Sequence, residues 1–249
     1  MQIIINADDL GMSARVNEAI FELITARRIT SATIMANGPA MRDAAAHLHN
    51  FPECSFGIHL NLTQFEPLTG GESGSVLTNG TGQLSRSIEH TAPSIRLLRA
   101  AYDECCAQID LLFAAGVNIS HFDSHNHVHT RPHIFPVLKA LQKRYRIRKV
   151  RLAKNLYAPS QPFPMALRYK KRAYNAALRR LYRTHTTDVF TEFVTFAELC
   201  GQRGAPYRSV EVMVHPGAAY ADDETELLES DWMGTLNGAV ELINYRQLA

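Results

Sequence analysis

The chain has 249 residues, 46% of them hydrophobic and 20% charged, enough for one large domain (1–249) with a substantial core. No run approaches the roughly eighteen consecutive apolar residues of a membrane span, and no basic region precedes the first apolar segment. Neither a membrane span nor a signal peptide is therefore expected, and the expected location is cytoplasmic. Net charge is only +2, yet 15 of the 26 Lys and Arg residues fall within 139–183, which contains no Asp or Glu.

In chain order, short apolar runs alternate with longer periodic segments. The runs predict strands near 2–6, 31–36, 55–62, 119–124, 149–153, 187–191 and 209–214, with a short eighth around 240–243. Helical patterns lie between them at 13–26, 39–50, 93–115, 132–144, 164–183 and from about 223. Ser13 suits an N-cap, and Pro39, Pro93 and Pro132 suit first-turn positions. The alternation predicts parallel strands joined by helical crossovers, a single α/β barrel. Residues 69–82, "TGGESGSVLTNGTG", read as a Gly-rich mobile loop able to cover a site. Cys54, Cys105, Cys106 and Cys200 form no CxxC pair and read as reduced thiols.

The basic segment centres on "LRYKKRAYNAALRRLYR", residues 167–183, a cationic amphipathic helix by its spacing. The bland account is a solvated face balanced by acidic groups elsewhere. The sharper account is a surface for an anionic or lipid-linked substrate. Nucleic acid is not expected, because no binding motif accompanies the charge.

Unusual chemistry sits at strand C-terminal ends, the active-site face of parallel barrels. Asp8 and Asp9 follow the first strand, His59 lies on the third, "HFDSHNHVH" (121–129) follows the fourth, and His215 follows the seventh. Carboxylates and imidazoles converging from several strand ends form the ligand set of a catalytic metal. Taken alone, His59 is more often a hydrogen-bonded core residue than a ligand, and the aspartate pair is open to reading as helix-capping charge. Within the set, one aspartate could reach a metal and the other handle a proton. His125, His127 and His129 at alternate positions, with Asp123 nearby, are hard to explain as packing.

Taken together, "NADDLGMSARVNEAI", "SATIMANGPA", "GIHLNLT", "HFDSHNHVHTRPHIFPVL", "EVMVHPG" and "LINYRQL" resemble the YdjC-like carbohydrate deacetylases, a family that includes chitooligosaccharide deacetylases. The resemblance implies an irregular, TIM-like (βα) barrel of about seven parallel strands, akin to the polysaccharide deacetylases. It implies Asp9, His59 and His125 as ligands of one divalent metal ion, Asp8 as general base and His215 as general acid. The implied reaction removes an N-acetyl group from an amino sugar or oligosaccharide and releases acetate. Magnesium is usual for the family, whereas imidazole ligands favour zinc over magnesium, and manganese, cobalt or iron remain open. Asp123 is expected to orient an imidazole, and His127 and His129 to touch substrate or support the site. The family often has a histidine where this chain has Asn126, which is expected outside the metal shell.

Two other readings compete. One is a barrel phosphoesterase or cyclic amide hydrolase with a second ion on His127 and His129. The other is a silent barrel that binds sugar or lipid. A homodimer is expected by analogy with barrels of this size.

Overall fold

The computed structural model describes the chain apart from residues 159, 161–162, 201–206 and 237–238. Its apolar runs become parallel strands: β1 (Gln2–Leu10), β2 (Ser31–Ile34), β3 (Ser55–Leu60), β4 (Phe122–Ser124), β5 (Val189–Glu192), β6 (Ser209–Val214) and β7 (Glu241–Leu242). They form one curled sheet of order β4-β3-β2-β1-β6-β5, and β7 pairs with the start of β1. The fold is α/β, as the alternation predicts.

No regular strand forms at 149–153, where one was expected. That segment instead bridges the two ends of the sheet. Phe122 N donates to Lys149 O and Arg151 N to Phe122 O on the β4 side, and Asn155 N donates to Phe190 O on the β5 side. This irregular link curls the sheet round toward closure and satisfies edge groups that would otherwise lack partners.

Helices α1 (Ala14–Thr25), α2 (Met41–His47), α4 (Ile95–Ala114), α5 (Phe135–Tyr145), α6 (Met165–Arg180) and α8 (Asp222–Glu229) follow the predicted patterns; α3 (Gly71–Leu77) and α7 (Phe193–Cys200) were not anticipated. Ser13 caps α1 by accepting from Val16 N, as expected. The prolines sit slightly outside the helices: Ser94, not Pro93, precedes α4 as its cap. The supposed mobile loop at 69–82 contains α3, and buried Glu104 on α4 accepts hydrogen bonds from Leu68 N and Thr69 N at 3.0 and 2.8 Å. Cys54, Cys105 and Cys106 are buried free thiols.

Side chains alternate across each strand. Ile3, Ile5 and Ala7 on β1 join the main apolar core between sheet and helices, whereas Ile4 packs with Ile243, Tyr245 and Leu248. Asn6 and Asp8 continue the inward file. On β2 and β3 the file is Ser31, Thr33, Ser55 and His59, so the barrel interior becomes increasingly polar toward the C-terminal ends. Gly57 fits this file because a Cβ there would stand 2.5 Å from the His121 ring.

Candidate active site

Sequence register brings the polar strand ends to one level. His59 pairs with Asp123 across β3 and β4, and Ala7 pairs with Val214 across β1 and β6, which sets Asp8 beside His215. β1 continues to Leu10, beyond its expected end at 6, so both aspartates belong to the strand. The turn they require is made inside it: register with β2 shifts between Ala7 and Leu10, and Asp9 adopts φ 66°. A left-handed aspartate costs roughly 1–3 kcal/mol, held by the surrounding structure, and such strain gathers at functional sites.

That turn brings Asp9 to both predicted imidazole partners. Its Oδ1 lies 3.1 Å from His59 Nε2 and 2.8 Å from His125 Nδ1. Donor atoms of Asp9, His59 and His125 all fall within 4.8 Å of one another, close enough to hold a metal ion. Burial alone would raise the Asp9 carboxyl, but hydrogen bonds from His125 and His59 hold it well below the usual carboxylate range. Burial likewise opposes a charge on His59, yet Asp123 at 2.8 Å from Nδ1 and Asp9 on the other side push its pKa well up. One oxygen facing two ring nitrogens is an arrangement that a proton or a cation must mediate, and the set suits a divalent ion. Thr33 Oγ1 and Arg151 also bond Asp123, both at 2.9 Å, and fix its orientation.

Asp8 shares the site but meets a different environment. Arg151 grips it with two hydrogen bonds of 2.6 Å, and Asn6 donates at 3.0 Å. Burial works to raise its pKa, but the guanidinium holds it well below the usual range, so it is ionised at neutral pH. Arg151 also bonds Glu211 at 2.7 Å, and Tyr245 donates its hydroxyl to the second Glu211 oxygen. Burial pushes Glu211 up to about 7 even with this pairing. Tyr245 also stacks on His121 at 3.6 Å, closing the barrel floor. A fully buried Arg151 thus serves three carboxylates, and removing it would strand them at a cost of about 3–5 kcal/mol. Sequence reasoning missed Arg151, Glu211 and Tyr245. A signal was there for two of them: Glu211 is a lone charge inside the apolar run "SVEVMV", and Arg151 sits between apolar residues in "KVRLAK"; Tyr245 carried none.

A cleft of about 340 Å³ opens above this network, lined by Asp8, Asp9, His125, Asn126, His215 and Tyr220 among others. His215 Nδ1 faces Glu224 Oε2 at 3.8 Å. Burial tends to lower its pKa, but Glu224 and then Asp8 outweigh that and raise it. Glu224, on α8, was also not foreseen.

His127 and His129 do not join the cluster. Left-handed residues Asn126 and His127 break the strand-like alternation of this stretch. His127 packs edge-on against Phe190 with its Nδ1 buried and unbonded, and burial takes its pKa well down. His129 bonds Ser124 Oγ and the Arg151 carbonyl, and burial takes its pKa down to about 3. Asn126 bonds Thr63 Oγ1 at 3.0 Å on the cleft wall.

Residues 2–242 match the sequence model of the family described as YdjC-like protein. The chain belongs to that family. It is 42% identical over 153 residues to a carbohydrate deacetylase of Geobacillus stearothermophilus, covering 61% of this chain and 60% of that one. It is 35% identical over 147 residues to a carbohydrate deacetylase of Vibrio parahaemolyticus, covering 59% and 57%. The matched region therefore spans about three fifths of these curated relatives. A proposed cellobiose-phosphate cleavage protein from Enterococcus faecalis superposes with a TM-score of 0.79 at 23% identity, over 100% of this chain and 98% of that one, and shares the fold.

Proposed function

We propose that this YdjC-like protein is a metal-dependent carbohydrate N-deacetylase, built as one barrel domain, that hydrolyses the acetamide of an amino sugar to acetate and a free amine. The observation that carries this reading is the placement of Asp9, His59 and His125 around one point, with ionised Asp8 and His215 beside the same cleft. The relatives named carbohydrate deacetylase support it.

Asp9, His59 and His125 would hold one divalent ion. Bound there, such an ion would supply Lewis-acid polarisation of the amide carbonyl and lower the pKa of a water. Two imidazoles and a carboxylate suit zinc and the transition metals, with magnesium the family's expectation. The chain's own groups do the rest. Arg151 keeps Asp8 ionised and aimed, so Asp8 takes the proton of the attacking water. Asp123 holds the Nδ1 proton of His59 and leaves Nε2 toward Asp9. His215, whose pKa Glu224 raises, gives its proton to the departing nitrogen, which would otherwise leave as an anion. Losing His215 should slow the chemical step roughly 10²- to 10⁴-fold.

The rival readings make different demands. A binuclear hydrolase needs a second ion on His127 and His129, which lie outside the candidate metal groups among the described residues. A silent binding barrel has no use for the Asp8 and His215 pair. The test is acetate release from N-acetylglucosamine oligomers, nucleotide sugars and lipid-linked amino sugars, using metal-stripped protein resupplied with single ions. Release restored by one equivalent of metal and abolished by Asp8→Asn, with metal still bound, supports the proposal. Turnover by Asp8→Asn equal to wild type removes Asp8 from the mechanism.

A further inference from the structure

The basic segment resolves into two populations. Several of its cations are absorbed by the protein. Arg151 enters the barrel, Lys139 bonds the carbonyls of Leu178 and Leu181, Lys149 bonds those of Tyr245 and Arg246, and Lys154 pairs with Glu192 at 3.0 Å. Lys170, Arg172 and Arg180 on α6, and Arg183 just after it, are exposed and have no ion-pair partner among the described residues.

Helix α6 is fastened by its opposite side. Tyr174 donates to the His129 carbonyl at 2.5 Å, Asn175 exchanges two 2.9 Å hydrogen bonds with the Ala153 backbone, and Leu178 is fully buried. Arg168 and Lys171 stack over Tyr157 and Phe163, each at 4.9 Å. His129 belongs to the loop that carries His125, and Ala153 follows Arg151. The helix therefore stands on the rim of the candidate active site.

Its solvent face is unusual in mixing cations with apolar groups. Met165 is 59% exposed and Tyr169 63%, and Leu181 at the end of the helix is 51% exposed. At 100° per residue Met165, Tyr169, Arg172 and Arg180 fall in one sector, with Ala166, Ala173 and Lys170 beside it. Cations beside a strip formed by Met165 and Tyr169, with Leu181 exposed past the helix end, are the chemistry of a helix lying in the headgroup layer of an anionic bilayer. No described helix is long and apolar enough to cross a membrane, so the contact would be peripheral. A second copy of the chain fits less well, because the same unpaired cations would meet across a symmetry axis. A nucleic acid would leave the apolar strip without a partner.

We propose that the outward face of α6 docks this protein on anionic lipid and sets the catalytic rim beside the bilayer. On the deacetylase reading, this favours an amino sugar carried on a membrane lipid as substrate.

The test is co-sedimentation of the full chain with vesicles of phosphatidylcholine alone or with phosphatidylglycerol added, at low and high salt. Wild type is expected on the anionic vesicles only, released by salt, with R172E/R180E weakening the low-salt partition by about tenfold or more and Tyr169→Ala also weakening it at low salt. Turnover of soluble diacetylchitobiose, measured in parallel, is expected to be equal in wild type and variants. No association with anionic vesicles, association untouched by these substitutions, or tighter binding to a duplex oligonucleotide or an acidic peptide would overturn the proposal, as would a dimer that buries α6. Absence of acetate release from every acetylated sugar would sink the deacetylase reading and leave the sedimentation result to decide the docking alone.

Discussion

Replacing Asp123 with Asn probes whether the buried charge network serves the metal site. The carboxylate has two distinct duties: Oδ1 takes His59 Nδ1 at 2.8 Å, while Oδ2 accepts from Thr33 and Arg151. An amide can keep only one of them. With its oxygen toward Thr33 and Arg151, its NH2 faces His59 Nδ1, so the ring proton moves to Nε2, the nitrogen that faces Asp9. Turned the other way, the NH2 meets the Arg151 guanidinium, donor against donor. Either way one charge-assisted hydrogen bond is lost, worth about 1.5–3 kcal/mol, or about one to two powers of ten in affinity. This agrees with the 10- to 100-fold range typical of groups that orient metal ligands. Competition of Asp123→Asn and wild type against a chromophoric chelator, with zinc or cobalt, would read it directly, and circular dichroism would check the fold. An affinity unchanged within about twofold in a folded variant would refute the reasoning, and a loss far beyond about 100-fold would make Asp123 a ligand itself.

Three other outcomes follow from the same geometry. Glu224 raises the pKa of His215, and a general acid works only while protonated, so activity fades as pH rises through that pKa; Glu224→Gln should move the alkaline limb of the kcat/KM profile to lower pH, and an unmoved limb would detach Glu224 from the acid. Tyr245→Phe removes the hydroxyl that satisfies Glu211, at about 1–3 kcal/mol of stability; urea unfolding showing under about 0.5 kcal/mol would mean this bond is idle. Tyr220 is 76% exposed, with its ring 5.7 Å from that of His215. As a platform for a sugar ring it should contribute about 0.5–1.5 kcal/mol, so Tyr220→Ala should raise KM roughly 2- to 13-fold with kcat nearly held; a fall in kcat alone would place Tyr220 in the chemistry instead.

Much of the architecture was legible because strand and helix periods are local. The Ile3–Ile5 run, "SATI" and "SVEVMV" announce strands, and each chemical residue stands where its strand ends. Misreadings arose where local pattern and tertiary demand part. "TGGESGSVL" looks like a loop by its glycines, yet packing on α4 and the two oxygens of Glu104 hold a helix within it. "KVRLA" looks like a strand but is an irregular closure, because it must reach both β4 and the chain at Phe190. The alternate histidines at 125, 127 and 129 suggested a shared face, which left-handed backbone at Asn126 and His127 takes apart.

By itself the sequence determined the parallel α/β plan, the polar rim and the uneven charge, since those depend on residue types at short spacings. Only the tertiary structure decided which histidines meet Asp9, that Arg151 is shared by Asp8, Asp123 and Glu211, and that α6 turns its cations outward. Those depend on register, curl and burial between residues that lie from 28 (Asp123 and Arg151) to 143 (Asp8 and Arg151) positions apart. A buried charge acquires its role only from the partners that folding places within about 3 Å of it.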